Sequence, residues 1–507
     1  MNSSDPRTDA PHNPPRVIPR AEHTVSRSHI SPNALRVLYR LRDGGFQAFL
    51  VGGCVRDLLV GLEPKDFDVA TDALPEQVKR LFRNCRLVGR RFRLAHVFFG
   101  QEIIEVATFR AASAPSEGEE PAEEDFAEEE AGAEEEAGAE EEEAELIDQG
   151  GPRTEVHAAE FEAEHIDRVA PQPDADLERM FDATGRILRD NVYGSVDDDV
   201  WRRDFTANAL YYNIADFSIW DYVGGAEDIA ARRLRLIGDP ETRYREDPVR
   251  MLRAARFEAK LGFHIEPASA EPIERLRPLL GAVPPARLFD EMLKLFLTGH
   301  GARSLPVLRR RGLLAALLPS VDAYLAAHPD SLVERLLMKG LANTDARVIA
   351  GRSVTPTFLF ALLLYGPIAA IIESMPTSRW HELSAILDAC DQAVRDTQRH
   401  IAIPKRFSLG LREMFALQPR LEHPRGRRAL RLLGHPRFRA GYDLLLLRAE
   451  FGLASPERAQ WWTDVQAATE EEQGRMADAL GGATERPAGQ KSRRRRGGRR
   501  RRVPSGS

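Results

Sequence analysis

Hydrophobic and polar residues follow two different rhythms along the chain, and the rhythm changes near residue 270. In the first part, short apolar runs bounded by Gly and Pro predict strands over 46–51, 67–70, 93–99 and 102–109. Helices are predicted around them over 29–42, 55–60 and 75–82. Beyond residue 270 the apolar spacing is helical, in runs such as 286–297, 332–341, 354–364 and 442–451. The pattern therefore predicts an α+β unit followed by an all-α region.

The same pattern divides the chain into successive parts. Both ends and one internal stretch are too polar to bury a core, which predicts that they are disordered. The predicted parts are a disordered leader (1–28), an α+β head (29–215) with a disordered acidic insertion at about 111–165, a helical neck (216–285), a helical body (286–465) and a disordered basic tail (466–507).

The net charge of −7 conceals two blocks of opposite sign. Residues 117–145 contain 17 acidic residues and no Lys or Arg, whereas residues 491–502 contain nine basic residues and no acidic one. The rest of the chain is nearly neutral, so the two blocks are appendages with functions of their own. We expect the acidic block to be dispensable for chemistry, either as an inert linker or as a partner of the basic block.

The cysteines and the apolar runs indicate the cellular compartment in which the protein is expected. Cys54, Cys85 and Cys390 are too few and too widely spaced for a disulfide framework or a zinc site, which indicates a reducing environment. The leader lacks the apolar core of a secretory signal. The longest apolar run, 358–372, is too short to span a bilayer and is interrupted by Gly366-Pro367. We therefore expect a cytoplasmic protein without a transmembrane segment.

Candidate chemistry begins at Gly52-Gly53, between a predicted strand and a predicted helix. Two glycines would let backbone N–H groups approach an anion, and Arg56 would add a charge-assisted contact to a phosphate. Asp66 and Asp68 follow, and alternate residues of a strand face the same side, so their charges would need a cation. Such oxygen ligands suit Mg²⁺ together with substrate phosphates. The combination predicts phosphoryl or nucleotidyl transfer, although each element alone is usually a turn or a solvated loop.

A third carboxylate, Glu105, lies in the apolar run 103–107. A charge within an apolar strand is costly unless it is paired or binds a metal, so Glu105 is a candidate for the same site. The alternative is an outward-facing position on a half-exposed strand.

The segment 202–210 supplies a second polar cluster. If this segment is helical, Asp204 and Asn208 are four residues apart and share a face, with Arg203 beside them. A carboxylate, an amide and a guanidinium together suit a ribose and a triphosphate. An ordinary capped amphipathic helix is the alternative.

A third cluster contains Glu246, Asp247 and Arg250. Asp247 before Pro248 is typical of an N-cap followed by Pro at the first helical position. Asp247 and Arg250 would present an acceptor and a donor to the edge of a base. The alternative is that Arg250, three residues after Asp247 and four after Glu246, forms salt bridges with them at the helix start, worth about 0.2–0.5 kcal/mol each.

These elements, in this order, resemble the class II nucleotidyltransferase family. The glycine–arginine loop, Asp66-Phe67-Asp68, Arg-Arg-Asp-x-x-x-Asn-Ala at 202–209 and Glu-Asp-x-x-Arg at 246–250 carry the resemblance, which covers about residues 30–450. This family contains bacterial tRNA CCA-adding enzymes and bacterial poly(A) polymerases. The resemblance implies a polymerase-β-like α+β catalytic head followed by an all-α neck, body and tail.

Several segments are similar to the poly(A) polymerase branch. They are 87–97, which includes Arg90-Arg91-Phe92, the runs 402–406 and 435–440, and the Arg-rich C-terminus. The branch implies transfer of AMP from ATP to the 3′-hydroxyl of RNA, without a template and with release of pyrophosphate, in mRNA polyadenylation and RNA turnover. A CCA-adding enzyme is the alternative within the family, and a catalytically inactive RNA-binding scaffold is the alternative outside it. The long acidic insertion is a departure from the family pattern.

The resemblance also implies roles for individual residues. Asp66 and Asp68 would bind the Mg²⁺ ions, and Glu105 and Asp204 would be further catalytic carboxylates. The implied nucleotide-binding residues are Gly52, Gly53, Arg56, Arg203, Asn208, Glu246, Asp247 and Arg250.

The C-terminal arginines form two blocks separated by Gly497-Gly498, with no aromatic residue between them. Without base stacking, such a tail is expected to bind RNA phosphates with a steep salt dependence and to assist RNA capture. A solubility tail is the alternative. The predicted RNA-binding residues are Arg493, Arg494, Arg495, Arg496, Arg499, Arg500, Arg501 and Arg502.

Overall fold

The computed structural model describes residues 14–89, 93–111, 180–181, 187–189, 193–380 and 382–481. The chain forms two compact units, residues 1–283, which we call the head unit, and residues 284–507, which we call the helical unit. Arg90-Arg91-Phe92, nearly all of the acidic insertion and both arginine blocks lie outside the described residues.

The head unit combines β-strands with short helices. Its strands are β1 (Arg16–Ile18), β2 (Ala48–Val51), β3 (Asp68–Thr71), β4 (Cys85–Val88), β5 (Leu94–Phe99), β6 (Glu102–Thr108), β7 (Met180–Phe181), β8 (Ile187–Arg189), β9 (Leu210–Asn213), β10 (Ile219–Asp221), β11 (Arg233–Leu234) and β12 (His264–Ile265). Its helices are α1 (Pro32–Asp43), α2 (Gly53–Leu59), α3 (Pro75–Leu81), α4 (Val196–Arg202), α5 (Gly225–Ala230), α6 (Pro240–Glu246), α7 (Val249–Leu261) and α8 (Pro267–Leu276).

Eight strands form one mixed sheet in the order β1-β10-β9-β2-β3-β6-β5-β4. β3 and β6 pair in parallel, and the other neighbouring strands of this sheet pair antiparallel. β2 lies in the middle and is buried along its whole length, as its uninterrupted apolar sequence Ala-Phe-Leu-Val requires. The strands and helices predicted between residues 29 and 109 are confirmed, with ends shifted by at most three residues.

Aromatic residues from several elements build the core beside the sheet. Phe49 of β2 packs at 5.9 Å against Tyr211 of β9 and at 6.1 Å against Phe109, measured between ring centroids. Val196 and Val200 of α4 join the same cluster. The core therefore packs α4 and β9 against β2, the strand that leads into the glycine loop. The second polar cluster lies between α4 and β9 in the sequence.

The prediction of a disordered leader is wrong for residues 14–28. β1 pairs antiparallel with β10, with Val17 opposite Trp220. Ile18 and Val25 are buried, and the Arg27 guanidinium lies 4.6 Å above the ring of Phe217. A few apolar residues suffice here because the edge of a sheet already offers backbone donors and acceptors.

The helical unit consists of α-helices and short 3₁₀ turns. Its helices are α9 (Pro285–Phe296), α10 (Gly301–Arg310), α11 (Leu313–Leu317), α12 (Pro319–Ala327), α13 (Leu332–Ile349), α14 (Pro356–Leu363), α15 (Tyr365–Glu373), α16 (Leu383–Gln398), α17 (Lys405–Glu422), α18 (Phe438–Glu450), α19 (Pro456–Ala467) and α20 (Glu470–Gly481). The predicted all-α character after residue 286 is confirmed.

Two predicted boundaries need correction. The neck was placed from residue 216, but β10 at 219–221 belongs to the main sheet, because it pairs with β9. The disordered tail was placed from residue 466, but α20 continues to residue 481. Ala477 is buried and Asp478 receives two hydrogen bonds from Arg427, which hold this polar helix in place.

No single helix in the described part of the chain is long and apolar enough to cross a membrane. One consecutive pair, α14 and α15, would meet the length and composition requirement together, but it is bent by 46°.

Candidate active site

The glycine loop connects β2 to α2 in the middle of the sheet. Gly52 has φ 76°, a backbone conformation that strains residues with a side chain. A Cβ atom at Gly52 would lie 3.6 Å from Asp68 Oδ2 and 3.7 Å from Arg203 Nη1. The loop therefore places bare backbone beside both a carboxylate and a guanidinium.

Three carboxylates lie near one another beside this loop. Asp68 is the first residue of β3 and stands opposite Glu105 in the parallel pairing with β6. Asp66 is exposed and precedes the strand, so its predicted position on a strand is wrong. Burial, Glu105 and Asp66 raise the pKa of Asp68 to about 6, while Arg203 opposes this rise. Asp66 and Asp68 are therefore close enough for their charges to interact, although only Asp68 lies on the strand.

Glu105 faces outward on a half-exposed strand and also lies near the other carboxylates, the two arrangements considered for it. Its side chain is half exposed, as expected for an outward-facing residue of β6. Its charge nevertheless acts on Asp68, and its Oε1 lies 3.5 Å from His96 Nε2 on the neighbouring strand β5. His96 carried no signal in the sequence, because its proximity to Glu105 results from the pairing of β5 with β6.

The donor set fits Mg²⁺. Within the described residues, no group of three His, Cys, Asp or Glu side chains forms a ready-made metal site. Mg²⁺ needs only one or two protein carboxylates when substrate phosphates complete its coordination. Burial of Asp68 and the nearby charges of Glu105 and Asp66 disfavour its ionised form, and a bound divalent cation would favour that form. Asp66 and Asp68 are the residues that would hold the metal.

Arg203 is held by two residues that the sequence pattern did not single out. Its Nε donates to Tyr211 Oη at 2.7 Å, and its Nη2 donates to Asp199 Oδ2 at 2.9 Å. Burial works against the charge of Arg203, but Tyr211 and Asp199 outweigh burial and raise its pKa. Asp199 could have been found as the i−4 neighbour of Arg203. Tyr211 could not, because β9 approaches α4 only in the folded protein.

The helix considered for 202–210 does not form. α4 ends at Arg202, Phe205 forms a β-bridge with Leu236, and Thr206–Asn208 is a 3₁₀ turn. Asn208 Nδ2 still donates to Asp204 Oδ1 at 3.3 Å, so the two side chains meet as predicted. The bridge to Leu236 explains the difference, because it requires extended backbone where the helix would have continued.

Asp204 is paired with Arg253 of α7, which the sequence analysis did not select. Arg253 Nε donates to Asp204 Oδ2 at 2.7 Å. Burial alone would raise the pKa of Asp204, but Arg253, the Phe205 backbone N–H and Asn208 lower it to about 2. Asp204 is therefore ionised at neutral pH and bound within the protein.

Arg56 lies inside the protein, 1% exposed, where its guanidinium donates to Asp57 Oδ1 at 2.6 Å and to Asn208 Oδ1. A phosphate contact by Arg56 therefore stays a prediction, since its donors already serve these partners. The Arg56–Asn208, Asn208–Asp204 and Asp204–Arg253 hydrogen bonds form a ladder that joins α2, the 204–208 segment and α7. The members of this ladder, in order, are Asp57, Arg56, Asn208, Asp204 and Arg253.

The third cluster forms the salt bridge considered in the sequence analysis. Arg250 Nη1 donates to Glu246 Oε2 at 3.0 Å and to the Arg243 carbonyl at 2.7 Å. α7 begins at Val249, one residue later than predicted, and Asp247 Oδ1 accepts from the Val249 N–H at 3.3 Å. A contact of Asp247 or Arg250 with a base stays a prediction.

Arg243, which the sequence analysis missed, connects the second and third clusters. Its Nη2 donates to the carbonyls of Arg202 and Arg203, at 2.9 and 2.7 Å, and its Nη1 donates to Glu246 at 2.7 Å. Burial and the neighbouring Arg250 lower the pKa of Arg243 to about 10. Arg243 therefore fixes the backbone immediately before Asp204.

The fully buried Asp228 stabilises the 206–208 turn. Thr206 Oγ1 donates to Asp228 Oδ2 at 2.6 Å, and Arg233 and Arg235 also donate to this carboxylate. Gly225 lies against the same turn, and a Cβ atom there would be only 2.2 Å from the Thr206 carbonyl oxygen. Close packing thus leaves no space for a side chain at residue 225.

We expect Gly225→Ala to lower the free energy of unfolding by about 1–3 kcal/mol, because the turn must move to admit the methyl group. Urea unfolding monitored by circular dichroism measures the loss. Gly281→Ala is the matched control, since a Cβ atom there meets nothing within 4 Å. Equal stability of the two variants would show that the Gly225 contact does not fix the turn.

Three family models match successive parts of the chain. They are "Poly A polymerase head domain" over residues 48–235, "Probable RNA and SrmB- binding site of polymerase A" over 262–325 and "Polymerase A arginine-rich C-terminus" over 378–502. The first match contains all the head-unit residues of the first two clusters, and the third contains the arginine blocks.

Full-length relatives carry matching names. The chain is 44% identical to poly(A) polymerase I of Salmonella typhimurium, over 92% of this chain and 88% of that protein. It is 41% identical to poly(A) polymerase I of Haemophilus influenzae, over 89% of this chain and 88% of that protein. It is 30% identical to the CCA-adding enzyme of Bacillus pumilus, over 54% of this chain and 52% of that protein.

Among solved structures, the chain is similar in fold to a tRNA-processing enzyme in an apo form. The TM-score is 0.50 at 18% identity, and the match covers 90% of this chain and 97% of that one. This similarity supports the fold.

Proposed function

Because this chain belongs to the poly(A) polymerase family of nucleotidyltransferases, we propose that it transfers AMP from ATP to the 3′-hydroxyl of RNA. The observation that carries the proposal is the joint position of Gly52, Asp66, Asp68, Glu105 and Arg203. This arrangement puts oxygen ligands, a bare backbone turn and a fixed cation together, which a nucleotidyl transfer site requires. It rests on residues of the head unit alone.

In the proposed reaction, the RNA 3′-oxygen forms a bond to the α-phosphorus of ATP. The bond between that phosphorus and the bridging oxygen to the β-phosphate breaks, pyrophosphate departs with the electron pair, and the proton of the hydroxyl passes to water. Bound Mg²⁺ would supply activation of the attacking oxygen and neutralisation of the leaving charge. Asp66 and Asp68 would hold the two metals of this mechanism, with Glu105 beside them.

The protein's own residues would orient the nucleotide. Arg203 is suited to a triphosphate or sugar oxygen because Tyr211 and Asp199 fix its guanidinium beside Gly52. Gly53 is the first residue of α2, and Asn208 holds Arg56 and Asp204 together. Asp204 would act through this ladder, as a positioning residue rather than as a metal ligand.

Incorporation of single nucleotides tests the proposal. The purified protein with Mg²⁺ is incubated with a generic RNA, or with tRNA that lacks CCA, and with each nucleoside triphosphate separately. We expect ATP to extend both RNAs and CTP to extend neither efficiently. Efficient CTP incorporation on the truncated tRNA would favour a CCA-adding enzyme, the second candidate, for which the 30% identity to the Bacillus pumilus enzyme is the supporting observation.

Base selection belongs to the same proposal and is assigned to Glu246, Asp247 and Arg250. We expect Arg250→Ala to lower the ratio of ATP to CTP incorporation by about tenfold. In the proposed site the Arg250 side chain would be left unpaired beside the wrong base, and the substitution removes this penalty. Steady-state kinetics with both nucleotides measures the ratio. Arg245→Ala, which removes an exposed pair with Glu241 on α6, is the control. A loss of rate at unchanged selectivity would instead assign Arg250 to the salt bridge alone.

The cellular setting is also proposed rather than established. We assign the protein to mRNA polyadenylation and RNA turnover in the cytoplasm, with RNA 3′ ends and ATP as its substrates. The arginines at 493–496 and 499–502, outside the described residues, are proposed to hold RNA phosphates.

A further inference from the structure

The helical unit contains a cavity of about 320 Å³ that is lined by residues of α15, α16, α17 and α18. This volume lies at the lower end of the range of about 300–1,000 Å³ that is typical of small-ligand pockets. The walls are mostly apolar and include the aromatic side chains of Tyr365, Trp380 and Phe415. Trp380 is fixed in place, because its indole Nε1 donates to the Met375 carbonyl at 2.9 Å. A flat ligand such as a nucleobase therefore suits this cavity.

The two opposite charges in the lining of the cavity are bound to each other. Arg448 Nη1 donates to Glu422 Oε1 at 2.5 Å. Arg448 Nε donates to Tyr365 Oη at 3.0 Å, and its Nη2 donates to the Leu453 carbonyl at 3.0 Å. All three nitrogens of the guanidinium therefore have a partner, and its charge is balanced by Glu422. Such a pair offers little to a phosphate, so the cavity favours an uncharged group.

One acceptor and one donor of this network stay open. Glu422 Oε2 accepts no hydrogen bond from the residues that the structure describes, although Oε1 is bound to Arg448. Tyr365 Oη accepts from Arg448, but its own O–H has no acceptor in the described part of the chain. Adenine carries the N6 amino donor beside the N7 acceptor. An open carboxylate oxygen and an open hydroxyl match these two groups.

We infer that this cavity binds an adenine base of RNA, outside the site of AMP transfer. The choice of adenine rests on the proposed function, because each transfer of AMP adds one adenine to the RNA. Bases of single-stranded RNA are commonly bound in this way, stacked on aromatic side chains and hydrogen-bonded along one edge.

The basic residues beside the cavity favour a base of RNA over a free nucleotide. Arg420 and Arg425 precede and follow the lining residue Glu422 in the sequence. Both are exposed, and neither forms an ion pair with another described residue. Unpaired arginines suit the backbone phosphates on each side of a bound base.

Replacing the open acceptor tests the inference. In Glu422→Gln the amide oxygen can still accept from Arg448, whereas the amide nitrogen puts a donor opposite the adenine amino group. We expect the Kd of a 3′-blocked oligo(A), measured by fluorescence anisotropy without ATP and Mg²⁺, to rise about tenfold, while the Kd of oligo(U) stays the same. Glu413→Gln is the matched control, because it removes an exposed carboxylate of the same helix and changes the net charge equally.

A change in the ligand tests the same contact. Purine riboside lacks the amino group of adenosine but keeps the stacking surface. We expect the wild-type protein to bind an oligonucleotide of purine riboside about tenfold more weakly than oligo(A), and Glu422→Gln to bind the two alike. Both ligands are compared on one protein, so the ratio does not depend on how completely the variant folds.

Photolabelling of the unmodified protein distinguishes RNA from a free nucleotide. An oligo(A) that carries one 8-azidoadenosine is expected to label peptides containing Tyr365, Trp380 or Phe415. Unlabelled oligo(A) should prevent this labelling, whereas AMP at the same concentration should not. Labelling of these peptides by 8-azido-AMP, and not by the oligonucleotide, would assign the cavity to a free nucleotide and overturn the inference.

Two results of the binding measurements would also overturn it. They are an equal Kd of oligo(A) for Glu422→Gln and Glu413→Gln, and an equal weakening of oligo(A) and oligo(U) in Glu422→Gln. Failure of the proposed function is distinguishable, because none of these measurements requires ATP or extension of the RNA. A protein that adds AMP to RNA but binds oligo(A) and the purine riboside oligonucleotide alike would contradict this inference alone.

Discussion

Replacing Asp68 by asparagine is expected to reduce AMP transfer to RNA by at least about a thousandfold, the loss of several kcal/mol of transition-state stabilisation. Asparagine keeps the shape of the side chain but removes the negative charge proposed to hold Mg²⁺. Single-turnover incorporation of AMP at saturating ATP measures the chemical step. Asp43→Asn, which changes an exposed carboxylate at the end of α1, is the control and should retain activity.

Stability separates this loss of chemistry from damage to the fold. In the metal-free protein, burial and the charges of Glu105 and Asp66 disfavour the ionised form of Asp68. Because the pKa of Asp68 is raised from its ordinary value near 3.8 to about 6, the cost of ionising it is fully present above about pH 6, shrinks as the pH falls, and is gone only below about pH 3.8. Asp68→Asn should therefore unfold at a higher temperature than the metal-free wild-type protein at pH 7.5, and this difference should shrink as the pH is lowered toward 4. An active Asp68→Asn variant would refute the proposed role of this carboxylate.

Removal of Arg253 is expected to have the largest effect on stability. Arg253→Gln leaves Asp204, whose side chain is 11% exposed, without its guanidinium partner, and breaking a buried pair from one side costs about 3–5 kcal/mol. Denaturant unfolding at pH 7.5 measures the loss. Arg275→Gln, which removes an exposed partner of Glu241, is the control and should cost about 1 kcal/mol or less.

The pH dependence identifies Asp204 as the cause. In the wild-type protein Arg253 helps to lower the pKa of Asp204 to about 2, so this group supports folding above its ordinary pKa and ceases to do so as the pH falls toward 2. Without Arg253, burial would raise the pKa instead, and the deficit of Arg253→Gln should shrink between pH 7.5 and pH 4. An additional Asp204→Asn substitution should recover part of the loss at pH 7.5. A deficit that is independent of pH would show that Arg253 contributes mainly through packing.

The local pattern of the sequence was sufficient for most of the individual elements. The alternating and helical spacings predicted the strands and helices between residues 29 and 109, because side-chain burial on one face follows the period of each element. The proximity of Gly52 and Asp68 was also predictable from the sequence, because the glycine turn and the two carboxylates lie within one short α/β segment. Local pattern overestimated disorder at 14–28, and the helix considered for 202–210 does not form.

Contacts between distant parts of the chain were decided by the tertiary structure alone. Arg56 was expected to face a phosphate, but it contacts Asn208, 152 residues away, and is buried. Asp204 depends on Arg253, 49 residues away, which the sequence pattern did not single out. The edge strand at 16–18 is ordered because it pairs with residues 219–221. Sequence spacing determines which residues share a face of one element, whereas the packing of elements against each other decides which charges meet and which of them stay accessible to a ligand.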